Sequence, residues 1–141
     1  MNALLSFVYA LLLKDAVVAV ISIGFDPYVG LFHATGYGRP ALALDLMEEF
    51  RPVVGDSTVL RMINNGEIAS GDFVQRLDAA ALTDAGRRRV IAAYERRMLE
   101  TLRHPLFGYN TTCRRALEIQ ARILAAVLHG ELPDYRPLTT R

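Results

Sequence analysis

Cysteine is nearly missing from this sequence: Cys113 is the single thiol among 141 residues. An internal disulfide is thereby excluded, and such usage suits a reducing compartment. Lysine is as scarce, with Lys14 alone, so basic character falls almost wholly to arginine. No internal repeat or low-complexity tract is present. Nor does any Lys or Arg precede the apolar opening run "MNALLSFVYALLLKDAVVAVISIG", as the n-region of a secretory signal would require. That run has the length of a membrane span, yet Lys14 and Asp15 stand at its centre, where each charge costs about 2.5–3.5 kcal/mol. The expectation is a buried core helix, apolar on nearly every side, with no membrane as partner.

What is present is greasy for a freestanding domain, with 52% apolar residues and a mean hydropathy of +0.20. Charged residues still make 22%, which excludes a disordered chain and a polytopic membrane protein. The length is that of one domain with a modest core. A net charge of +1 hides a split: residues 1–86 carry five basic and ten acidic groups, whereas 87–122 carry nine Arg against Glu95, Glu100 and Glu118. Arginine clustered in this way suits bidentate pairing with phosphate or carboxylate.

Periodicity and punctuation predict a mainly α helical bundle domain with one small β-hairpin near 67–82. The first helix covers 3–22 and ends at Gly24 and "FDPY". A glycine-rich loop over 29–40 leads into a helix from about Ala41 to Phe50. Pro52 removes a backbone donor, so a kink or a fresh start is expected there, and "NNG" closes the next helix. Thr83 is the expected N-cap of a helix running to about Leu102, with Val90, Ile91, Tyr94, Met98 and Leu102 as its apolar stripe. "RHPLFGYN" breaks the chain, His104 being read as a turn residue. A last helix spans about Thr112 to His129, where His129 is placed favourably against the helix dipole. Cys113 reads as a buried structural thiol.

The stretch "LDLMEEFRP" carries the candidate chemistry. Asp45, Glu48 and Glu49 fall at i, i+3 and i+4, so on a helix they point to neighbouring sectors and repel one another. Leu42, Leu44, Leu46, Met47 and Phe50 surround them, which places some carboxylate close to buried surface. A divalent cation would relieve the repulsion, and His33 would supply a nitrogen ligand if the glycine-rich loop folds back. One imidazole with carboxylates suits Mn²⁺ or Mg²⁺ better than structural zinc. A D-x-x-E-E cluster is also an ordinary solvated helix face, and spacing leaves both readings open.

The ordered signature "DP…G…LH…GR…LALDLMEEFRP" resembles the carboxy-terminal catalytic domain of CRISPR-associated protein 1, the metal-dependent endonuclease and integrase of spacer acquisition. The resemblance continues through "LTDAGRRRVIAAYERRM" and "RRALEIQARILAAVLHGELPDYRP", covering essentially the whole chain. It implies that His33 and Glu48 are metal ligands and that Asp45 is an acidic residue behind them needed for catalysis, orienting His33 or a metal-bound water or joining a transient second ion. Glu49 and Arg51 belong to the same motif and are assigned orienting or packing roles. The family's third ligand is a Glu on a helix before the "NALLS" segment. Asp15 and Asp26 are the only upstream carboxylates here, and neither matches it. Residues 1–141 are therefore expected to be a partial catalytic domain, without the amino-terminal β-domain, either a truncated gene product or the tail of a longer or split protein.

The implied activity is phosphodiester cleavage and strand transfer with Mg²⁺ or Mn²⁺. The attacker is a DNA 3′-hydroxyl in integration and water in cleavage. The implied partners are protospacer and CRISPR-repeat DNA, a second copy of the chain and CRISPR-associated protein 2, in a prokaryotic cytoplasm. Arg89, Arg96 and Arg103 recur every seven residues, and Arg114, Arg115 and Arg122 add charge on the last helix. These six are the expected DNA-binding residues, gripping phosphates without reading sequence. Local Glu–Arg pairs, such as Arg96 with Glu100, are the bland alternative. At the level of function, the alternative is a catalytically inactive helical module that binds DNA or a partner protein.

Overall fold

The computed structural model describes residues 2–24, 41–105, 108–128, 130–133, 135 and 137–138. His33, Asp26, the loop over 29–40 and His129 lie outside the described residues. Among the described residues, five α-helices form the frame: α1 (Asn2–Ser22), α2 (Ala41–Phe50), α3 (Ser57–Asn64), α4 (Asp84–Leu99) and α5 (Cys113–Leu128). Two antiparallel hairpins complete it, β1 (Phe73–Arg76) with β2 (Ala79–Leu82) and β3 (Thr101–Arg103) with β4 (Asn110–Thr112). The expected mainly helical domain with a hairpin in 67–82 is what is found.

α1 is the central packing element. Leu4, Val8, Leu12, Asp15, Ala16, Ala19 and Val20 recur at helical spacing on its buried face, which meets α2, α4 and α5. It is long and apolar enough to cross a membrane by composition alone, yet this stripe sits in the core with Leu46, Phe50, Val90 and Leu117. The expectation of burial on nearly every side needs correction. Val18 is 58% and Ile21 57% exposed, because the helices packed on α1 cover one flank and leave the far one outside.

Between α2 and α3 the chain neither breaks nor kinks into a loop. Residues Arg51–Asp56 form a π-helical stretch with Pro52 in its first turn. Pro52 has no N–H to return to the Glu48 carbonyl, so the ladder is reset with wider bonds instead of ending. α3 closes as expected at Gly66, whose φ is +68. The bonds Glu67 N–H to Met62 O (2.8 Å) and Gly66 N–H to Ile63 O (3.2 Å) make a Schellman stop, with glycine at the left-handed position.

Thr83 caps α4, its hydroxyl oxygen accepting from the Gly86 N–H at 3.0 Å. Gly86 is buried there for want of space: a Cβ would come within 2.7 Å of the Asp72 carbonyl oxygen. Alanine gains about 1 kcal/mol over glycine in a helix, but overpacking against backbone costs about 1–3 kcal/mol. Gly86→Ala is therefore expected to destabilise, read as a lower urea midpoint; an increase would show that the hairpin yields.

α4 ends at Leu99, short of the expected Leu102. Leu102 and Arg103 belong instead to β3, the unforeseen second hairpin, whose register is Thr101↔Thr112, Leu102↔Thr111 and Arg103↔Asn110. Within the expected apolar stripe, Val90, Tyr94 and Met98 are buried, while Ile91 is 40% exposed. Cys113 starts α5, fully buried, and desolvation pushes its thiol above the ordinary range, which makes it inert.

Candidate functional site

α2 carries its three carboxylates in three different environments. Successive residues of a helix turn by about 100°, which sets Asp45 angularly between Glu48 and Glu49. Asp45 is buried, 6% exposed. The Glu48 side chain is 50% exposed. Glu49 turns inward on the other side, toward α5 and the C-terminal segment. The expected carboxylate beside buried surface is present twice, and Glu48 is the one of the three that faces solvent.

Glu49 is held by donors from two other segments. Its Oε1 accepts from Gln120 Nε2 at 2.9 Å and from the Leu138 N–H at 2.7 Å, and Oε2 accepts from the Tyr135 hydroxyl. Gln120 passes the chain on, its Oε1 lying 2.8 Å from His104 Nε2. Burial pushes the Glu49 carboxyl above its ordinary range, against the lowering effect of these three bonds. Glu49 is thus a packing and orienting group, as the motif implied. His104 is a turn residue as expected, its carbonyl accepting from the Gly108 N–H at 2.8 Å, and it is also buried, 1% exposed, part of the support beneath α2. No short-range pattern could reveal Gln120 or Tyr135, which stand 71 and 86 residues from Glu49. Tyr135→Phe removes one hydroxyl from this network and leaves Glu49 short of a donor. The expected cost is about 1–3 kcal/mol in chemical denaturation; a value near zero would mean that Gln120 and Leu138 suffice.

Arg51 faces Glu48, its Nη1 lying 3.1 Å from both Oε1 and Oε2. The guanidinium also lies over the Tyr9 ring, 4.8 Å from its centroid, with Tyr9 in turn donating to Asp56 Oδ1. Asp15 is no spare ligand: the Tyr94 hydroxyl donates to its Oδ2 at 2.5 Å, and Arg114 lies 3.6 Å away. Among the described residues, no three His, Cys, Asp or Glu side chains stand close enough to hold a metal ion. Asp45 and Glu48 are hard oxygen donors of the kind Mg²⁺ and Mn²⁺ take. In chemistry they fit such an ion; by number they need further donors, and His33, the ligand expected from the sequence, lies outside the described residues.

The arginines are largely spoken for. Arg89 Nη1 lies 2.8 Å from Asp72 Oδ1, Arg96 pairs with Glu67, Arg114 with Glu95 at 2.6 Å, and Arg115 with Glu118 at 2.8 Å. The expected Arg96–Glu100 pair is not the one formed, since Glu100 binds Arg61 and Arg97. Arg103 lies on β3 and not on α4, so the seven-residue spacing does not make one helical stripe. Arg103 and Arg122 are exposed, without an ion pair among the described residues.

The family model "CRISPR associated protein Cas1" matches residues 1–96. A CRISPR-associated exonuclease Cas4/endonuclease Cas1 fusion from Geobacter sulfurreducens is 54% identical over 140 residues, which is 99% of this chain and 25% of that protein. The chain spans between 23% and 54% of the length of the curated relatives compared with it. Among solved structures, a casposase bound to integration product superposes with a TM-score of 0.87 at 26% identity, over 99% of this chain and 41% of the casposase. A Cas6-RT-Cas1–Cas2 complex gives a TM-score of 0.81 at 26% identity, over 98% of this chain and 15% of the matched one. With residues 1–96 matching the family model and the same fold recurring in such relatives, the chain belongs to the Cas1 family.

Proposed function

We propose that this chain forms the metal-binding core of a CRISPR-adaptation DNA endonuclease and integrase. One observation carries the reading: a single turn of α2 sets a buried acid, Asp45, beside a solvent-facing one, Glu48. His33 and Glu48 would hold the ion, and Asp45 would orient His33 or a bound water from behind. A Mg²⁺ or Mn²⁺ ion supplies, when bound, Lewis-acid stabilisation of charge on the phosphate oxygens. Glu49, tied to Gln120, Tyr135 and Leu138, keeps α2 from rotating and so holds the two donors in their sectors. Exposed Arg103 and Arg122, with whichever paired arginines yield their carboxylates to phosphate, would draw in the DNA backbone with strong salt dependence. Protospacer and repeat DNA, a second copy and Cas2 are the partners. The casposase–integration product and Cas1–Cas2 structures that share this fold support DNA and Cas2 among them.

A second reading has its own observation. The described residues gather no three metal-binding side chains, as in a helical module that binds DNA or a partner without cleaving it. Mn²⁺ titration and cleavage assays on branched and duplex DNA separate the two. The chain alone should bind Mn²⁺ weakly and cleave nothing. Cleavage should appear on adding the portion of the relatives that this chain does not span. Robust cleavage by the chain alone, abolished by His33→Ala, would show that its own residues complete the site. No cleavage by a soluble complex of the two parts would favour the non-catalytic module.

A further inference from the structure

Arg51 stands where a cation would. Its Nη1 is equidistant, 3.1 Å, from the two oxygens of Glu48, which places its positive charge astride the carboxylate. The seat is built from several elements. The Tyr9 ring of α1 supports the guanidinium at 4.8 Å, the Tyr9 hydroxyl is anchored on Asp56, and the ring packs so closely on Gly55 that a Cβ there would come within 2.8 Å of it. Yet the guanidinium is poorly satisfied in this seat. Its Nε is buried with no hydrogen-bond partner, a costly state for a polar group. The pair itself is half-exposed, 41% for Arg51 and 50% for Glu48, and such pairs contribute little in water.

We propose that Arg51 is the resident counter-cation of Glu48, occupying the cation's place on that carboxylate until a divalent metal displaces it. This rests on the reading of Glu48 as a metal ligand. Unlike an ion in solution, the displaced guanidinium is tethered three residues away. It keeps its place over Tyr9 and regains free N–H donors suited to a phosphate oxygen. Arg51 is in this sense a positioning residue that keeps the carboxylate solvent-facing before loading.

Mn²⁺ affinity of the chain, measured by electron paramagnetic resonance for wild type, Arg51→Gln, Arg51→Lys and Asp45→Asn, tests the competition. Mg²⁺ titration followed on the Arg51 Nε–H resonance tests the displacement. Arg51→Gln should tighten Mn²⁺ binding about 3–10-fold, and Arg51→Lys, which keeps the charge, should return it to the wild-type value. Mg²⁺ should move the Arg51 resonance with the midpoint of metal binding, toward its position in metal-free Glu48→Gln, and should leave it unmoved in Asp45→Asn. Metal binding with a stationary Arg51 resonance and no gain in Arg51→Gln overturns the inference and leaves Glu48 a ligand. An Arg51 resonance identical in wild type and Glu48→Gln also overturns it, since the pair is then not formed. Absence of Mn²⁺ binding in both wild type and Arg51→Gln overturns the metal reading and the inference together, while binding confined to Arg51→Gln upholds both.

Discussion

Truncating Tyr94 to alanine is expected to be among the most damaging single changes in this chain. Among the described residues Tyr94 is the bulkiest fully buried side chain, 0% exposed, and it joins α4 to α1 across the core. Emptying such a site costs about 3–5 kcal/mol. The hydroxyl adds a second loss. It donates at 2.5 Å to Asp15, a carboxylate only 8% exposed, and a buried carboxylate left short of a donor costs about 1–3 kcal/mol. Desolvation first, and the Asp15 contact second, push the phenol far above its ordinary range, so it remains a neutral donor at any working pH. The melting temperature should fall by on the order of 10–20 °C in a chain of this length. Tyr94→Phe isolates the second loss by keeping the ring. If Tyr94→Phe melts with the wild type, Arg114 at 3.6 Å and Lys14 at 3.8 Å are compensating Asp15.

The second large effect separates function from stability on one helical turn. Glu48→Gln should lower Mn²⁺ affinity by at least about tenfold while changing stability by less than about 1 kcal/mol, because it gives up only a half-exposed pair with Arg51. Asp45→Asn should weaken metal binding about 10–100-fold as well. Being buried and bonded, it should also cost about 1–3 kcal/mol of stability. Calorimetric metal titration beside thermal melts of both variants gives the two numbers for each. Equal loss of stability in both would place Glu48 in the packing, and undiminished Mn²⁺ binding in Glu48→Gln would remove it from the site.

Much of the frame was legible locally. Thr83 announces α4 because its hydroxyl needs only the Gly86 N–H three residues on. "NNG" announces the end of α3 because glycine adopts the left-handed turn without strain. The short hairpin β3–β4 was not legible: strands of three residues hold too little alternation to register, and "RHPLFGYN" shows only its turn. The arginine stripe misled for a related reason. A seven-residue recurrence implies one face only while the helix lasts, and α4 stops at Leu99, before Arg103.

By itself the sequence determined the helical elements, their caps, the first hairpin and the acidic turn on which a metal site is expected, because each depends on neighbours within a turn or two of the chain. Only the tertiary structure decided which carboxylate is spent on packing and which faces water. Glu49 is taken by donors 71, 86 and 89 residues away, and Asp15 by Tyr94 at a separation of 79. It likewise decided that most of the expected DNA-binding arginines already hold carboxylates, Arg96 reaching Glu67 across 29 residues. Hydrogen bonds and ion pairs act over a few ångströms in space whatever the distance along the chain, and no periodicity carries that information.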